Sequence, residues 1–260
     1  MNSQGVVPSQ ENRPRAAALP AWLDPLIWLV VLIVVASLGF YFDRTVVGAI
    51  AGHQIKWLET FAGWLSKLGD WPELMAYAAV ALIGVGFARK RTLVKVILCM
   101  VIASTLAGGL TNGVRLVSGR ARPNNTEAPA GWYGLWYQGQ WLLGKYKFHS
   151  FPSGHTATAF AFFGTIGFAY RRRWAWSFLI LASAIAWSRL YVNAHFFSDV
   201  LVGMVVGLFF AQLTWERAGP GVARLVGGKL THGRGTEVIS NQSVSNQASG
   251  SGAAPNLKKN

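Results

Sequence analysis

The charges of this 260-residue chain are clustered, and the gaps between the clusters are the size of a membrane span. Pro25–Phe42 runs 18 residues without a charge, and Val96–Val114 runs 19. Leu74–Ala88, Thr156–Tyr170 and Trp174–Ser188 each run 15, and Val200–Trp215 runs 16. A transmembrane helix takes roughly 20 mostly apolar residues. The shorter gaps can still cross if Lys and Arg at their ends snorkel to the headgroups. A soluble bundle is disfavoured, because six such gaps leave little polar surface. The expected fold is all-α: a polytopic membrane helix bundle with six transmembrane helices and an interfacial outer segment. The spans occupy 25–218, between an N-terminal tail (1–24) and a disordered tail (219–260) rich in Gly, Ser, Asn and Gln. No small-residue cleavage site follows Phe40–Tyr41–Phe42, so the first gap reads as a retained span and not a signal peptide.

Composition sharpens this. Charged residues are 13%, about half the share of a soluble domain, yet 24 Lys+Arg against 10 Asp+Glu leave a net charge of +14. Nucleic-acid binding is the first reading of such a balance. Its distribution says otherwise. Arg89, Lys90, Arg91 and Lys95 crowd one short loop, and Arg171, Arg172 and Arg173 another. Six spans put both loops on the side of the termini, which then carries 15 of the 24 basic residues. The positive-inside rule makes that side cytoplasmic. The expected partners are the bilayer and a substrate within it, with no nucleic acid.

Aromatic residues fit the same map. Trp22, Trp28, Trp71, Trp174, Trp187 and Trp215 lie near span ends. In the outer segment Arg44–Asp70, the residues Trp57, Leu58, Phe61, Trp64, Leu65 and Leu68 recur at helical spacing. They describe either an interfacial helix or one packed on the bundle. Trp132, Tyr133, Trp136, Tyr137 and Trp141 suggest a loop resting on the bilayer surface. Cys99, alone inside a span, offers neither a disulfide framework nor a cysteine metal site.

The remaining polar residues gather at the outer ends of the spans: Arg115, Arg120 and Arg122, then His149, Ser153 and His155, then Arg189, His195 and Asp199. Ionisable groups at a membrane edge are costly unless paired, so they invite a functional hypothesis. His195 and Asp199 are four apart, one face of a helix, and a carboxylate beside an imidazole fixes its tautomer and frees the other nitrogen. Pro152–Ser153–Gly154–His155 opens the fourth apolar run. Ser153 is a natural helix cap there, Gly154 permits close approach of a ligand, and the helix N-terminus favours an anion. Arg115 and Arg122 are seven apart, and Pro123 ends their helix near Gly119, so that Arg122 reaches back from a loop. Arg189 comes from a different loop. Guanidinium forks suit phosphate oxygens. Together these residues describe a phosphate site with two imidazoles, either of which could be the nucleophile, and with no carboxylate cluster for a magnesium pair.

The pattern Arg115-x6-Arg122-Pro123, Pro152-Ser153-Gly154-His155, Ser188-Arg189-x5-His195-x3-Asp199 resembles the three-part signature of the type 2 phosphatidic acid phosphatase superfamily. Arg115 stands where that family usually has Lys; the charge is kept and the geometry is not. The resemblance implies a metal-independent lipid phosphatase without cofactor. In it His195 attacks phosphorus to form a phosphohistidine, Asp199 supports His195, and His155 protonates the leaving oxygen and then activates water. Arg115, Arg122, Arg189, Ser153 and the Gly154 backbone hold the phosphate. The implied substrate is a lipid phosphate or diphosphate monoester of the undecaprenyl diphosphate, phosphatidylglycerol phosphate, phosphatidate or lipid A type, met on the outer face of a bacterial inner membrane. A lipid-linked phosphotransferase would use the same intermediate. A transporter of phosphate-like anions and a vanadate-dependent haloperoxidase are the competing classes.

Overall fold

A computed structural model describes residues 23–227. Each of the six apolar gaps is helical, the fifth with a break at Ser177–Phe178. Three are long enough to cross a membrane by length and composition: α1 (Leu23–Ala51), α4 (Arg91–Ser118), and α8 (Phe197–Leu213) with its continuation. The others are shorter: α3 (Trp71–Phe87) and α5 (Gly154–Tyr170) have 17 residues, and α7 (Leu179–Tyr191) has 13 and is preceded by a single turn, α6 (Arg173–Trp176). Six spans were expected; among the described residues three helices meet the length and composition of a full crossing, or four crossings if the bent pair Lys56–Leu68 and Trp71–Phe87 is one span. Leu26, Leu29, Val30, Ile33, Val34 and Leu38 of α1 are all exposed, as lipid-facing side chains are. The chain is an integral membrane protein.

The bundle is organised around α5, which packs on α4, α7 and α8. Its small residues let the backbones close. Ala157 and Ala161 meet Ala103 and Ala107 of α4 in one fully buried cluster. On α8, Gly203 and Gly207 lie one turn apart against α5. A Cβ on Gly203 would fall 2.6 Å from the Ser153 carbonyl oxygen, and one on Gly207 would fall 2.5 Å from that of Ala157. Bare glycine is needed at both positions. Lipid tails are as apolar as the side chains, so van der Waals contact at such small-residue seams holds membrane helices together.

Between α1 and α3 lies α2 (Lys56–Leu68), bent 57° from α3. Its apolar stripe is split. Trp57, Phe61, Trp64 and Leu68 are exposed, whereas Leu58 and Leu65 are half-buried and the helix packs on α7. The packed reading of the stripe therefore holds for its inner edge, while its outer edge is an exposed apolar row. The loop after α4 has a small core of its own, Ala121, Ala128, Leu142 and Phe148, with Tyr133 and Tyr137 packed on it. A two-residue hairpin, β1 (Trp136–Tyr137) and β2 (Gln140–Trp141), turns at Gln138–Gly139, both with positive φ. Of the aromatic group in this loop, Trp132, Trp136 and Trp141 are exposed and the tyrosines face inward.

One boundary is corrected. The polar tail was expected from residue 219, but a π-turn at Thr214–Ala218 carries the chain into α9 (Gly219–Leu225). Pro220 suits the first turn of a helix, and Val222 and Ala223 are buried as α9 packs on α4. The tail from 228 on, and the N-terminal tail up to 22, lie outside the described residues.

Candidate active site at one end of the bundle

The C-terminal ends of α4 and α7 and the N-terminal ends of α5 and α8 meet at one end of the bundle, and the residues singled out by sequence lie there. Helix α4 stops at Gly119, whose φ of 58° is the left-handed conformation that glycine adopts freely. A Cβ here would also collide with the Gly134 backbone. The stop leaves Arg115 in the last helical turn, where it donates to Asn112 Oδ1, and puts Arg120 and Arg122 in the loop.

Arg122 is buried and heavily committed. Its Nε donates to the Tyr146 carbonyl at 2.8 Å. Nη1 donates to the Ala194 carbonyl at 2.9 Å and to Tyr146 Oη at 3.0 Å, and Nη2 to the His149 carbonyl at 3.0 Å. A guanidinium has five N–H groups, so one remains on Nη2 for a ligand. Burial, together with the like charges of Arg189 and Arg115, lowers the Arg122 pKa to about 10, which leaves it cationic at neutral pH. Arg189 is not in a loop, as the sequence suggested, but in the last turn of α7. It donates from Nη1 to Ser66 Oγ of α2, and its buried Nε has no partner among the described residues.

Ser153 occupies the N-cap position of α5 but does not cap it with its side chain. Its Oγ instead accepts from Thr156 Oγ1 at 2.9 Å, and its backbone N–H donates to the Asp199 carbonyl at 3.0 Å. The neighbouring hydroxyl at the third helical position occupies the oxygen that would have turned toward the helix N–H groups. Gly154 lies under Arg115: a Cβ there would be 3.4 Å from Nη1. His155 Nε2 meets Asp70 Oδ1 at 2.6 Å. Asp70, Trp71, Asn112, Arg115, Gly154 and His155 line a cavity of about 330 Å³.

His195 is 1% exposed. Its partner is not the expected one. Nδ1 lies 2.7 Å from the Ser150 carbonyl oxygen and 3.6 Å from Asp199 Oδ2, beyond hydrogen-bond range. The carboxylate is spent elsewhere: Oδ1 accepts from Arg120 Nη1 at 2.5 Å, and Oδ2 accepts from the Phe196 N–H at 2.8 Å and from Ser150 Oγ. A carbonyl can only accept, so Nδ1 carries the proton and Nε2 keeps the lone pair. Nε2 is buried and has no partner among the described residues. Burial, then the charges of Arg122, Arg189, His155 and Arg115, push the His195 pKa well below the ordinary histidine value.

Several residues here were missed or left without a role. Asp43, in the C-terminal third of α1, accepts from the Ser198 N–H and Oγ, both at 2.7 Å, and from Arg120 Nη2 at 2.6 Å. Arg120 stood among the outer arginines, but its partners are 77 and 79 residues away in the chain. Asp70 was visible only as the end of a linker. Counting acidic as well as basic residues at the span ends would have found both Asp43 and Asp70. Ser150 contributes a backbone carbonyl, for which side-chain identity gives no signal.

A family model for the PAP2 superfamily matches residues 92–219. That match takes in just under half of the chain and the whole of the three-part signature from Arg115 to Asp199. Among curated PAP2 relatives, the lipid A 1-phosphatase of Rhizobium johnstonii is 34% identical over 108 residues, which is 42% of this chain and 42% of that protein. The lipid A 4'-phosphatase of Bacteroides thetaiotaomicron is 31% identical over 147 residues, 54% of this chain and 64% of that protein. The matches thus span from under half to just under two thirds of these relatives' lengths. A crystal structure of the transmembrane PAP2-type phosphatidylglycerolphosphate phosphatase from Bacillus subtilis aligns with a TM-score of 0.56 at 19% identity, covering 75% of this chain and 96% of that one. The PAP2 helical fold is therefore shared well beyond the matched motif segments.

Proposed function

We propose that this protein is an integral membrane lipid phosphatase that hydrolyses a lipid phosphate or diphosphate monoester through a phosphohistidine at His195, without a metal. The observation that carries this reading is the His195 imidazole. Its proton is fixed on Nδ1 by the Ser150 carbonyl, and its Nε2 is unpartnered in a field of three guanidinium groups. Such a nitrogen is a pre-aligned nucleophile. Arg115, Arg189 and the free N–H of Arg122 would neutralise phosphate oxygens, with the Gly154 backbone beside them. Nε2 forms the N–P bond as the P–O bond to the lipid breaks, and His155 gives the leaving oxygen a proton. Water then attacks phosphorus, His155 takes its proton, and the N–P bond breaks to release phosphate. Ser153, buried behind Gly154, and Asp199, tied to Arg120, support this geometry without facing the phosphate.

The distribution of Lys and Arg supports an active site on the outer face, with both termini cytoplasmic. The named activities of the relatives put lipid A phosphates first among substrates to try. The test is phosphate release by purified protein from a panel of lipid phosphates with EDTA present, wild type beside His195→Ala. Release that survives the substitution, or that requires a divalent metal, overturns the proposal.

A further inference from the structure

We propose that Asp70 is the positioning residue of His155, holding its Nε2–H so that Nδ1 serves the leaving oxygen. The inference rests on the reading of His155 as proton donor. Asp70 sits at the N-cap position of α3, where an aspartate ordinarily accepts a hydrogen bond from its own helix. Here the side chain makes no such bond. It is turned across the bundle to His155 Nε2, 2.6 Å away. Burial raises the Asp70 pKa, but the hydrogen bond and charge of His155, with the charges of Arg189 and Arg115, outweigh it and hold the carboxyl below its ordinary value. It is an anion, so Nε2 carries the proton in either charge state of the ring.

The corner bearing Asp70 is fixed from three directions. Gly69 packs against Ile185 of α7, its carbonyl accepts from Thr158 Oγ1 of α5 at 3.3 Å, and Ser66 one turn earlier holds Arg189. The charged groups facing His155 are Asp70 from this corner, Arg115 from α4 and Arg189 from α7. The charge of His155 in turn bears on His195. Asp70 is thus the one carboxylate among them, opposed by two guanidinium groups that disfavour a cationic imidazole. Without it, the ring is free to flip and loses the charge that supports its protonated form.

Each step balances with Asp70 as a spectator that keeps Nε2–H. The electron pair of the breaking P–O bond passes to the leaving oxygen, and the proton comes from Nδ1. In the second half Nδ1 regains a proton from the attacking water.

The test is Asp70→Ala in the full chain, with Asp70→Glu as rescue, on an alkyl lipid phosphate and on p-nitrophenyl phosphate. An alkoxide needs a proton to leave and a nitrophenolate does not. General acid–base groups typically contribute 10²- to 10⁴-fold, so a loss of about 10- to 100-fold in kcat on the lipid is expected. KM should be unchanged, turnover of the nitrophenyl ester little changed, and the basic limb of the lipid pH profile moved to lower pH. Asp70→Glu should recover part of the loss. Nitrogen NMR of His155 reads the tautomer without activity: Nε2–H in wild type, a mixture in Asp70→Ala. Equal losses on both substrates, or an unaltered tautomer, overturn the proposal. If wild type releases phosphate from nothing, the phosphatase reading fails, and the tautomer comparison still decides the Asp70–His155 pair.

Discussion

Arg120 Nη1 donates to Asp199 Oδ1 at 2.5 Å while Nη2 of the same guanidinium meets Asp43, so one buried cation joins the first helix to the last long one. Four aromatic rings, Phe40, Trp132, Phe151 and Phe196, surround this guanidinium. The arrangement neutralises two carboxylates in an almost water-free setting. Removing one partner of a buried pair costs about 3–5 kcal/mol, because the other is left uncompensated. Arg120→Met strands two carboxylates. It is expected to lower the midpoint of thermal unfolding in detergent far more than Arg44→Met at an exposed position near the same helix end. Equal midpoints would refute the network's role.

Asp199→Asn separates the two pictures of His195. A carboxylate that directly orients a catalytic imidazole costs about 10⁴-fold in rate when amidated in a serine-protease triad. Here the Ser150 carbonyl holds Nδ1, so the expected rate loss is about 10- to 100-fold, accompanied by a marked loss of stability through Arg120. A complete loss of turnover at unchanged unfolding midpoint would restore Asp199 as the direct partner.

The depressed pKa of His195 fixes a sign. In the unfolded chain histidine binds a proton near pH 6.5, whereas the folded site binds one only at much lower pH. Stability is therefore full above about pH 6.5 and falls as pH drops from there toward the folded pKa. Over the same range Nε2 stays unprotonated. Single-turnover phosphoenzyme formation on p-nitrophenyl phosphate should show no inflection near pH 6.5, and an inflection there that persists in His155→Ala would contradict the shift.

At the seam between α5 and α8, Gly207→Leu has no space to enter. Overpacking typically costs 1–3 kcal/mol, and here the opposing atoms are backbone, so about 3 kcal/mol is expected. Because α5 carries Gly154 and His155 at its start, the same displacement should abolish turnover. Gly84→Leu on α3, where a Cβ meets nothing within 4 Å, is the control and should be neutral.

Arg115→Lys restores the side chain that the superfamily usually carries. The Arg115–Asn112 contact is local to α4, and a lysine keeps the charge but not the fork. Turnover within about tenfold of wild type is expected, against a far larger loss for Arg115→Ala. Measuring kcat and KM separately shows whether the fork serves binding or the reaction.

The residues of the site were legible where a side chain carries the chemistry. The spacing of Arg115, Arg122, His155, Arg189 and His195 named the charges that converge in space. What escaped was pairing across the chain. Asp199 lies four residues from His195, and that nearness suggested a hydrogen bond that the structure gives to the Ser150 carbonyl, 45 residues away. Asp43 ended an apolar run and Asp70 a linker, so they read as boundaries and not as partners. That each charge-free gap is helical followed from its composition. The depth of each span did not, because a 13-residue helix such as α7 is defined by what covers it as much as by its own composition.

Helix α2 has one more consequence. Its outer edge shows Trp57, Phe61 and Trp64 to the surroundings, while its inner edge and the corner after it deliver Ser66 to Arg189 and Asp70 to His155. Indole rings settle at a preferred height in a bilayer, and a rigid helix passes that height on to the two side chains. Any tilt of α2 that follows the level of its outer rings therefore moves Ser66 and Asp70 together, and with them the contacts to Arg189 and His155.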